Sequence, residues 1–412
     1  MFRKPLVATT VVAVTVAAVG FGVRQLSAEA AAAPESIRVS ADDCATGPRL
    51  SPAAMREAAR NPESRIVCLS QQPPPGVPGT RTPPGPPTIP AKKRPAVGIT
   101  AVPCPQGTWG IIRSNVCTVI PGYIMTWKNV CLNGICEPWL VGWLEVSSTL
   151  RSDAWPHQRG WVINLDIRAL SAWGEGKDGS FIRGDVNCSG ACVPKIQGFP
   201  KQLLQVGKVV SGYGSVSSTV EGVGQVAKAQ GIMNIDIEGV RPAIPGRQGF
   251  LVDPEVRCDT IVSTVAGCVY PQAGIVWDLI SDLYPEIAYN VKSAQNSGIV
   301  GHDVPLHRTL KGNLDFQNRQ ISCNPNVPRP IGKSCDEYPF ASTYEGAAKF
   351  PNGGRTFQGC DRPDLPTGVT GPYGWSACMV DKDDNDDQGG DLGTFYWRNH
   401  VLDGDDFYVE VI

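Results

Sequence analysis

Charge is scarce in this sequence, and neither sign is in clear excess. Of its 412 residues, 18% are charged, and the formal net charge is −2. A strongly basic chain would indicate a nucleic-acid partner by its charge alone, and this chain gives no such indication. The counts of 45 Gly and 36 Pro favour turns and short strands over long helices. The length allows more than one domain at roughly 150 residues each.

Two signatures of hydrolase and nucleotide chemistry are also missing. The chain has no Gly-x-Ser-x-Gly sequence, which excludes the nucleophile elbow of an α/β-hydrolase. The Gly-rich stretch Gly207–Gly224 lacks the Gly-Lys-Ser/Thr ending of a P-loop. After the apolar run Pro5–Val23, no second stretch of comparable length and apolarity follows. We therefore expect no stable membrane insertion of the mature chain.

The N-terminus has the three parts of a secretory signal. Arg3 and Lys4 precede the apolar run Pro5–Val23, and Ala28-Glu29-Ala30 offers a cleavage site with small residues. An uncleaved anchor is the alternative, because the run is nearly long enough to span a bilayer. Its Ala, Gly and Thr content favours cleavage. The sequence predicts a signal peptide over residues 1–32 and a secreted protein.

Fourteen cysteines agree with export. An even number of cysteines in an exported chain indicates a disulfide framework. A zinc site is the alternative at Cys188-x3-Cys192, but no second Cys/His pair lies nearby. We predict mostly short-range pairing in sequence order: Cys44–Cys68, Cys104–Cys117, Cys131–Cys136, Cys188–Cys192, Cys258–Cys268, Cys323–Cys335 and Cys360–Cys378.

Composition divides the chain before its last third. Residues 33–70 form a short N-terminal segment with a helix-like piece at Ser51–Asn61, and residues 71–100 are a Pro-rich, extended linker. Its basic Lys92-Lys93-Arg94 cluster is interpreted as keeping the linker solvated. Residues 101–271 alternate polar and apolar side chains, as in Trp161–Arg168, which predicts a β-rich, sandwich-like domain.

Seven tryptophans lie in this β-rich domain. Aromatic side chains in strands usually serve core and cross-strand packing. A platform for carbohydrate is the alternative, which makes a cell wall or glycan a partner to test. The tryptophans are Trp109, Trp127, Trp139, Trp143, Trp155, Trp161 and Trp173.

A helix is predicted over Ala273–Asn296. Its apolar residues recur four apart, which places them on one helical face. They are Ile275, Leu279, Leu283, Ile287 and Val291.

The last third carries the residues suited to catalysis. Phosphodiester hydrolysis needs a hard divalent cation, an activated water and a positive group on the phosphate. The adjacent carboxylates Asp336 and Glu337 could begin such a site, and a solvated pair at a turn is the alternative reading. His307 is a candidate general base near neutral pH, whereas His400 is interpreted as structural or exposed.

The acidic run Asp381–Asp387 superficially matches a calcium loop. The match fails at Asp386, where the loop needs Gly, and at Leu392, where it needs Glu. A loop that binds calcium loosely and a solvated turn stay open. The alternation that follows predicts a final strand.

Three strings in this third resemble the NucA/NucB family of secreted bacterial deoxyribonucleases. They are SCDEYPFAST at 334–343, NDDQGGDLGTFY at 385–396 and VLDGDDFYVEV at 401–411. The resemblance covers about residues 280–411 and implies a small α+β nuclease domain, which we place at 272–412. It implies metal-dependent cleavage of DNA with little sequence preference, with Mg²⁺ or Mn²⁺ as cofactor and Ca²⁺ as a further candidate.

The resemblance also assigns roles to residues. Asp336 and Glu337 fall on the acidic pair and are the expected metal-binding and water-activating carboxylates. His307 stays a catalytic candidate on its chemistry and its place before Arg308, not on the resemblance. Gly389 and Gly390 would permit close backbone approach. The expected phosphate-binding residues are Arg308, Arg319, Asn385 and Gln388.

Two departures keep other functions open. Asp386 and Asp387 stand where a basic or small residue is expected, and residues 301–412 hold ten Lys/Arg against seventeen Asp/Glu. Such an excess of acidic side chains repels the phosphates of DNA unless bound cations offset the negative charge. A non-catalytic extracellular or cell-wall-binding protein with a nuclease fold is the alternative function, and a nuclease toxin module is another.

Overall fold

A computed structural model describes most of the chain after its N-terminal part. The described residues are 44, 47, 60, 65–75, 87–94, 102–132, 135–241, 243–244 and 246–412. The side chains of 131–132, 135–136, 196–197, 243–244 and 246–251 are outside this description. The predicted signal peptide and nearly all of the Ser51–Asn61 helix also lie outside the described residues.

The middle of the chain is one curled sheet. Among the described residues it contains thirteen strands, and the main path runs β10-β1-β3-β4-β5-β8-β7-β6-β9-β12-β13, with β2 on β3 and β11 on β9. A short 3-10 helix, Glu175–Asp178, follows the fifth strand. The strands are β1 (Arg65–Ser70), β2 (Gly110–Ile111), β3 (Asn115–Leu132), β4 (Ile135–Ala154), β5 (Gly160–Gly174), β6 (Ser180–Gly190), β7 (Cys192–Leu204), β8 (Val209–Ser218), β9 (Val226–Gly239), β10 (Ala243–Ile244), β11 (Gly246–Val252), β12 (Val256–Asp259) and β13 (Gly267–Val269).

Period-2 alternation builds this sheet and its core. In β5, Trp161, Ile163 and Leu165 are buried while Asn164 and Asp166 face outward. A fully buried side chain of this size stabilises the fold by about 1.5–3 kcal/mol. Most buried residues of the strands form one core cluster, and residues of β1 and β3 form a second, smaller one with Cys44. The predicted β-rich domain is confirmed.

The seven tryptophans divide between core and surface. Trp109, Trp127 and Trp161 are buried, and Trp143 is half-buried. The exposed tryptophans are Trp139, Trp155 and Trp173. Core packing therefore accounts for part of the set, and glycan contact through the exposed members stays a prediction.

The C-terminal region is a small α+β unit. Its strands form two three-stranded sheets, ordered β14-β19-β15 and β16-β18-β17. A short 3-10 helix covers Ala347–Lys349. The other elements are β14 (Val276–Leu279), α1 (Pro285–Asn296), β15 (Leu306–His307), α2 (Gly312–Ser322), β16 (Lys333–Tyr338), β17 (Gly354–Arg355), β18 (Trp375–Asp381), α3 (Lys382–Arg398) and β19 (Asp406–Val411).

The helix predicted over Ala273–Asn296 is wrong in its first half. Residues Val276–Leu279 are a strand that pairs in parallel with β19, and the helix begins only at Pro285. Residues four apart lie on one face of a strand as well as on one face of a helix. The spacing of the apolar residues therefore could not distinguish a strand from a helix here. Proline at the first helical position fixes where α1 begins.

The acidic run predicted as a loop is the first half of α3. Asp381 caps the helix, and its side chain accepts hydrogen bonds from the backbone N–H groups of Asp383 and Asp384. Acidic residues in the first turn also interact favourably with the helix dipole. These two effects offset the poor helix propensity of the three glycines that follow. The run is therefore neither the loop nor the solvated turn that the sequence left open.

Buried ion pairs hold the C-terminal region on the sheet. Arg113, before β3, and Arg257, in β12, both donate to the carboxylate of Asp405, at 2.9 Å and 2.7–2.8 Å. Nearby, His400 Nδ1 lies 2.9 Å from Asp259 Oδ2, and both side chains are fully buried. This fits the structural role predicted for His400. The predicted division at 271/272 stays a prediction.

Part of the Pro-rich linker also contacts the C-terminal region. Lys92 pairs with Asp406, and Arg94 pairs with Glu410, both in β19. Arg94 also lies 2.8 Å from His302 Nε2. The acidity of residues 301–412 explains why a basic cluster docks here. The interpretation of Lys92-Lys93-Arg94 as solvated linker is wrong for Lys92 and Arg94.

Six of the seven predicted disulfides are confirmed, and the described cysteines leave no free thiol. The Cys131 and Cys136 side chains lie outside the described residues. The observed pairs are Cys44–Cys68, Cys104–Cys117, Cys188–Cys192, Cys258–Cys268, Cys323–Cys335 and Cys360–Cys378.

Within the described ranges, no helix has both the length and the apolarity needed to cross a bilayer.

Candidate active site

A cavity of 440 Å³ lies beside β16, which is an edge strand of the sheet β16-β18-β17. Residues of α2 and α3 bound the cavity. Four of the predicted site residues on these elements line it together: Arg319 from α2, Glu337 from β16, and Asn385 and Gln388 from α3. Asp336 also borders the cavity. The fold thus gathers residues that are as far apart as 319 and 388 in the sequence.

Asp336 is buried and bonded away from the cavity. Its side chain is only 4% exposed, and Oδ2 accepts a 2.8 Å hydrogen bond from Asn290 Nδ2 of α1. Asn290 in turn accepts a hydrogen bond of 3.0 Å from the Ser376 hydroxyl. Burial raises the pKa of Asp336 to about 8, and the neighbouring carboxylate of Glu337 adds to the shift. The hydrogen bond to Asn290 ties β16 to α1.

Glu337 belongs to the opposite face of the strand, as neighbours in a strand do. Its Oε1 accepts a 3.3 Å bond from the Ala341 N–H, and its Oε2 lies 3.3 Å from Sγ of Cys323. Burial raises the pKa of Glu337, and the charge of Arg319 opposes that rise. A carboxylate with a raised pKa beside a cation is suited to accept a proton near neutral pH.

Arg319 supplies the positive charge of the cavity. Its Nε donates to Asp315 at 3.0 Å, one helical turn away, and 62% of its side chain is exposed. The guanidinium has further N–H donors in a planar fork that matches two phosphate oxygens.

The amides of α3 complete the cavity wall. Asn385 Nδ2 donates to the Ser334 hydroxyl at 2.7 Å, which joins α3 to β16. Gln388 is 4% exposed, and its Nε2 has no hydrogen-bond partner among the described residues. A buried donor without an acceptor costs about 1–3 kcal/mol. Gln388 is therefore a donor available to an acceptor-bearing ligand.

Ser342 and Tyr396 were missed as site residues, although both stand within the strings quoted above. The two hydroxyl groups lie 3.0 Å apart, and both residues line the cavity. Arg308 does not line it. Its guanidinium stacks on the Tyr396 ring at 4.3 Å and donates to the Val401 carbonyl, so its direct role as a phosphate clamp has no support from the geometry.

His307 is also absent from the cavity lining. Its Nδ1 lies 3.2 Å from Glu345 Oε1, and its backbone N–H donates to Glu345 Oε2 at 2.8 Å. The bond to Glu345 raises the pKa of His307, so this imidazole holds its proton more tightly than a free base would. Burial opposes ionisation of Glu345, but its bonds with His307 outweigh burial and lower its pKa.

Glu345→Gln is expected to lower the pKa of His307 toward 6.5, because it removes the charged acceptor. NMR titration of the His307 Cε1–H signal measures this, and thermal melting verifies that the variant is folded. The ion pair contributes stability below the ordinary histidine pKa and loses it as pH rises through the raised one. Because the pKa of Glu345 is lowered, the contribution is also lost at acid pH. An unchanged His307 titration would contradict the pairing.

The acidic residues of α3 differ in position. Asp386 lines the cavity, but its carboxylate pairs with Lys382 at 2.7 Å. Asp387 is exposed and is not among the lining residues. The predicted repulsion of DNA therefore concerns Asp386 more than Asp387.

The residues suit a hydrated hard cation better than a protein cage. Among the described residues, no three His, Cys, Asp or Glu side chains are grouped to hold a metal ion. Glu337 offers one carboxylate inside the cavity, whereas Asp336 is engaged with Asn290. Mg²⁺ keeps several waters and is often bound through one or two carboxylates. Metal binding by Glu337 and Asp336 stays a prediction.

Three glycines of α3 allow a test of the cavity wall. Beyond its chain neighbours and the adjacent helix backbone, a methyl group at Gly389, Gly390 or Gly393 would meet no atom of the described residues within 4 Å. Each change to Ala is expected to stabilise the helix by up to about 1 kcal/mol. Gly389 and Gly393 line the cavity and Gly390 does not. For the DNA cleavage that the sequence resemblance implies, we expect Gly389→Ala and Gly393→Ala to lower plasmid nicking while the control Gly390→Ala does not. Urea unfolding measures the stability of each variant. Equal activity in all three would show that substrate does not approach this wall.

Comparison with known families gives one match. Residues 306–410 match the family model described as Deoxyribonuclease NucA/NucB. This range contains every residue that lines the cavity. A comparison with curated proteins gives no match. The resemblance seen in the sequence is confirmed for the C-terminal part of the chain.

Proposed function

We propose that the C-terminal part of this chain, a NucA/NucB deoxyribonuclease domain over residues 306–410, hydrolyses phosphodiester bonds of DNA. Cleavage has little sequence preference and depends on a divalent cation. Mg²⁺ or Mn²⁺ is the expected cofactor, and Ca²⁺ is a further candidate. The protein acts as a secreted enzyme on extracellular DNA, either for nutrient recovery or as a toxin module.

The unpartnered Gln388 Nε2 is the observation that carries the proposal. It is a buried donor in the same cavity as the exposed guanidinium of Arg319 and the carboxylate of Glu337. A phosphodiester provides acceptor oxygens and a negative charge, which this donor and this cation would satisfy together. The reacting phosphate would then lie beside a carboxylate able to take a proton from water.

Each residue has a distinct role in this proposal. Arg319 and Gln388 bind the phosphate oxygens, and Glu337 accepts the proton of the attacking water. Asn385 holds α3 against β16 through Ser334. Asp336 positions the strand through Asn290. Ser342 and Tyr396 present hydroxyl groups to the same cavity and could donate to the leaving oxygen.

A divalent cation bound through Glu337 would neutralise the phosphate charge and stabilise the charge that develops in the transition state. It would also offset the acidity of residues 301–412. Binding of Mn²⁺ can be followed by calorimetry without any DNA. We expect Glu337→Gln to weaken this binding and Asp386→Asn to change it less.

Plasmid nicking tests the proposed function. The full mature chain, purified with its disulfides intact, is incubated with supercoiled plasmid and Mg²⁺ or Mn²⁺, and then with excess chelator. We expect nicking that the chelator stops. An intact plasmid with either metal would overturn the proposal and favour the non-catalytic binding protein. Nicking that survives the chelator would overturn metal dependence alone.

Gln388→Leu is expected to raise KM for DNA more than it lowers kcat. The change keeps the side-chain volume, removes the donor and leaves no unsatisfied polar atom, so the fold should keep its stability. Loss of one charge-assisted hydrogen bond of about 1.5–3 kcal/mol corresponds to roughly 10- to 150-fold in kcat/KM. Steady-state cleavage of a fluorescent oligonucleotide measures both constants. Asn385→Leu is the comparison, because it should lower thermal stability as well.

Secretion is also part of the proposal. Six disulfides within the described residues support an oxidising compartment, since such bonds rarely persist in the cytosol. Detection of the protein in culture medium, with an N-terminus near residue 33, would agree with a signal peptide over 1–32. Retention with an intact N-terminus would contradict it.

A further inference from the structure

A second cavity lies on the curled sheet, outside the nuclease domain. Its volume is 750 Å³, within the range of about 300–1,000 Å³ common for small-molecule sites. Outward-facing residues of β3, β4, β5 and β8 form much of its wall. None of its lining residues takes part in the nuclease site described above, so the two sites can be tested separately.

Strand register brings three different side chains into one row. Arg151 of β4 pairs with Asn164 of β5, which pairs with Tyr213 of β8, and Tyr213 pairs with Gly198 of β7. Glycine at 198 adds no side chain beside the aromatic ring. Tyr213 consequently stays 52% exposed although it belongs to an interior strand of the sheet.

Hydrogen bonds hold the acceptors of the cavity in place. Asp153 accepts bonds from Asn115 and from Asn164, the latter at 3.3 Å. Asp166 accepts a 2.5 Å bond from the Ser211 hydroxyl. Each carboxylate has two oxygens and room for further donors. Arg151 is exposed and has no ion pair among the described residues.

This combination fits a polyhydroxylated ligand. Fixed carboxylates and amides accept from and donate to neighbouring hydroxyl groups, and charge-assisted bonds of this kind are the stronger ones. An exposed tyrosine ring offers a rigid apolar face with a polar end, against which the C–H face of a sugar ring can lie. Arg151 adds donors for ring or substituent oxygens.

Other ligand classes match the cavity less well. Nucleic acid would meet two carboxylates for one arginine, which disfavours its phosphates. A peptide that adds a strand needs a free sheet edge, and this cavity lies over the face of paired strands. A metal ion would need grouped ligands, and no such group of three occurs in the described residues.

We propose that the cavity beside Tyr213 is a glycan-binding site of the β-rich domain. Its function would be to hold the enzyme on a carbohydrate surface while the C-terminal region acts on DNA. The proposal does not depend on nuclease activity. It also differs from a platform built on the exposed tryptophans, because none of them lines this cavity.

Calorimetric titration of the full mature chain tests this inference. The probes are chitohexaose, cellohexaose and maltohexaose, and a pull-down with insoluble peptidoglycan extends them to cell-wall material. We expect at least one probe to bind in the micromolar to millimolar range. Tyr213→Ala should weaken that binding by roughly five- to tenfold, the effect of losing one aromatic contact. Asp166→Asn should also weaken it while preserving the shape of the wall.

Trp173→Ala is the matched control, because Trp173 is similarly exposed, at 51%, on the same sheet. It should leave binding unchanged. Loss of binding in Trp173→Ala with binding kept in Tyr213→Ala would overturn the proposal and favour a tryptophan platform. Absence of binding by every probe at millimolar concentration would overturn it as well, as would oligothymidine binding that requires Tyr213. Thermal melting and circular dichroism of each variant show that it is folded.

Discussion

Glu337→Gln is expected to lower the rate of DNA cleavage by roughly 10²–10⁴-fold, the contribution typical of a positioned general base. The glutamine keeps the size of the side chain and its contacts with Ala341 and Cys323. It cannot accept the proton of water and binds a cation poorly. Thermal stability should be unchanged or higher, because a buried carboxylate near Asp336 is removed. Single-turnover cleavage of an oligonucleotide measures the rate, and thermal melting verifies the fold.

Glu345→Gln is the matched control for this experiment. Glu345 is a buried glutamate of the same region, bonded to His307, and is not among the residues that line the cavity. We expect this variant to cleave DNA at nearly the native rate. A loss in Glu345→Gln as large as that in Glu337→Gln would transfer the role of base to His307. Native activity in Glu337→Gln would remove Glu337 from the mechanism.

Asp405→Ala is expected to destabilise the protein by about 3–5 kcal/mol, the usual cost of leaving a buried ion pair without one partner. Arg113 and Arg257 would then face each other without a counter-charge. In the native protein their charges and hydrogen bonds outweigh burial and hold the pKa of Asp405 well below its usual range. Burial already lowers the pKa of Arg113, which shows how poorly solvated that cation is. Urea unfolding, followed by tryptophan fluorescence, measures the change in free energy.

Glu221→Ala controls for the loss of an ordinary ion pair. Its partner Arg159 is 46% exposed and Glu221 itself is 76% exposed. Exposed pairs of this kind contribute about 0–1 kcal/mol. A comparable loss of stability in Glu221→Ala and Asp405→Ala would contradict the importance assigned to burial. Since Asp405 precedes β19, its loss should also separate unfolding of the C-terminal region from that of the sheet.

Local patterns predicted part of the site, and their limits have physical reasons. The strings around Asp336 and Asn385 identified the right elements, because a motif preserves residue types at short spacing. They did not show that Asp336 bonds to Asn290, since that contact joins a strand to a helix 46 residues away. The same limit applies to Arg308, whose stacking on Tyr396 joins a residue just after β15 to one in α3.

Sequence by itself determined the β-rich middle domain, the six described disulfides and the family of the C-terminal part. Polar/apolar alternation, short cysteine spacing and motif strings are properties of neighbouring residues in the chain. They can therefore be recognised in the sequence without knowledge of the tertiary structure. Tertiary structure alone decided that the acidic run of α3 is a capped helix with Gln388 on its cavity side. It also decided that Asp405 joins two regions and that Arg151, Asn164 and Tyr213 share one row. These depend on helix packing and strand register, which set the neighbours of residues distant in the chain. Packing also gives the two residues of the acidic pair different environments. It buries Asp336 beside α1 and leaves Glu337 to face the cavity.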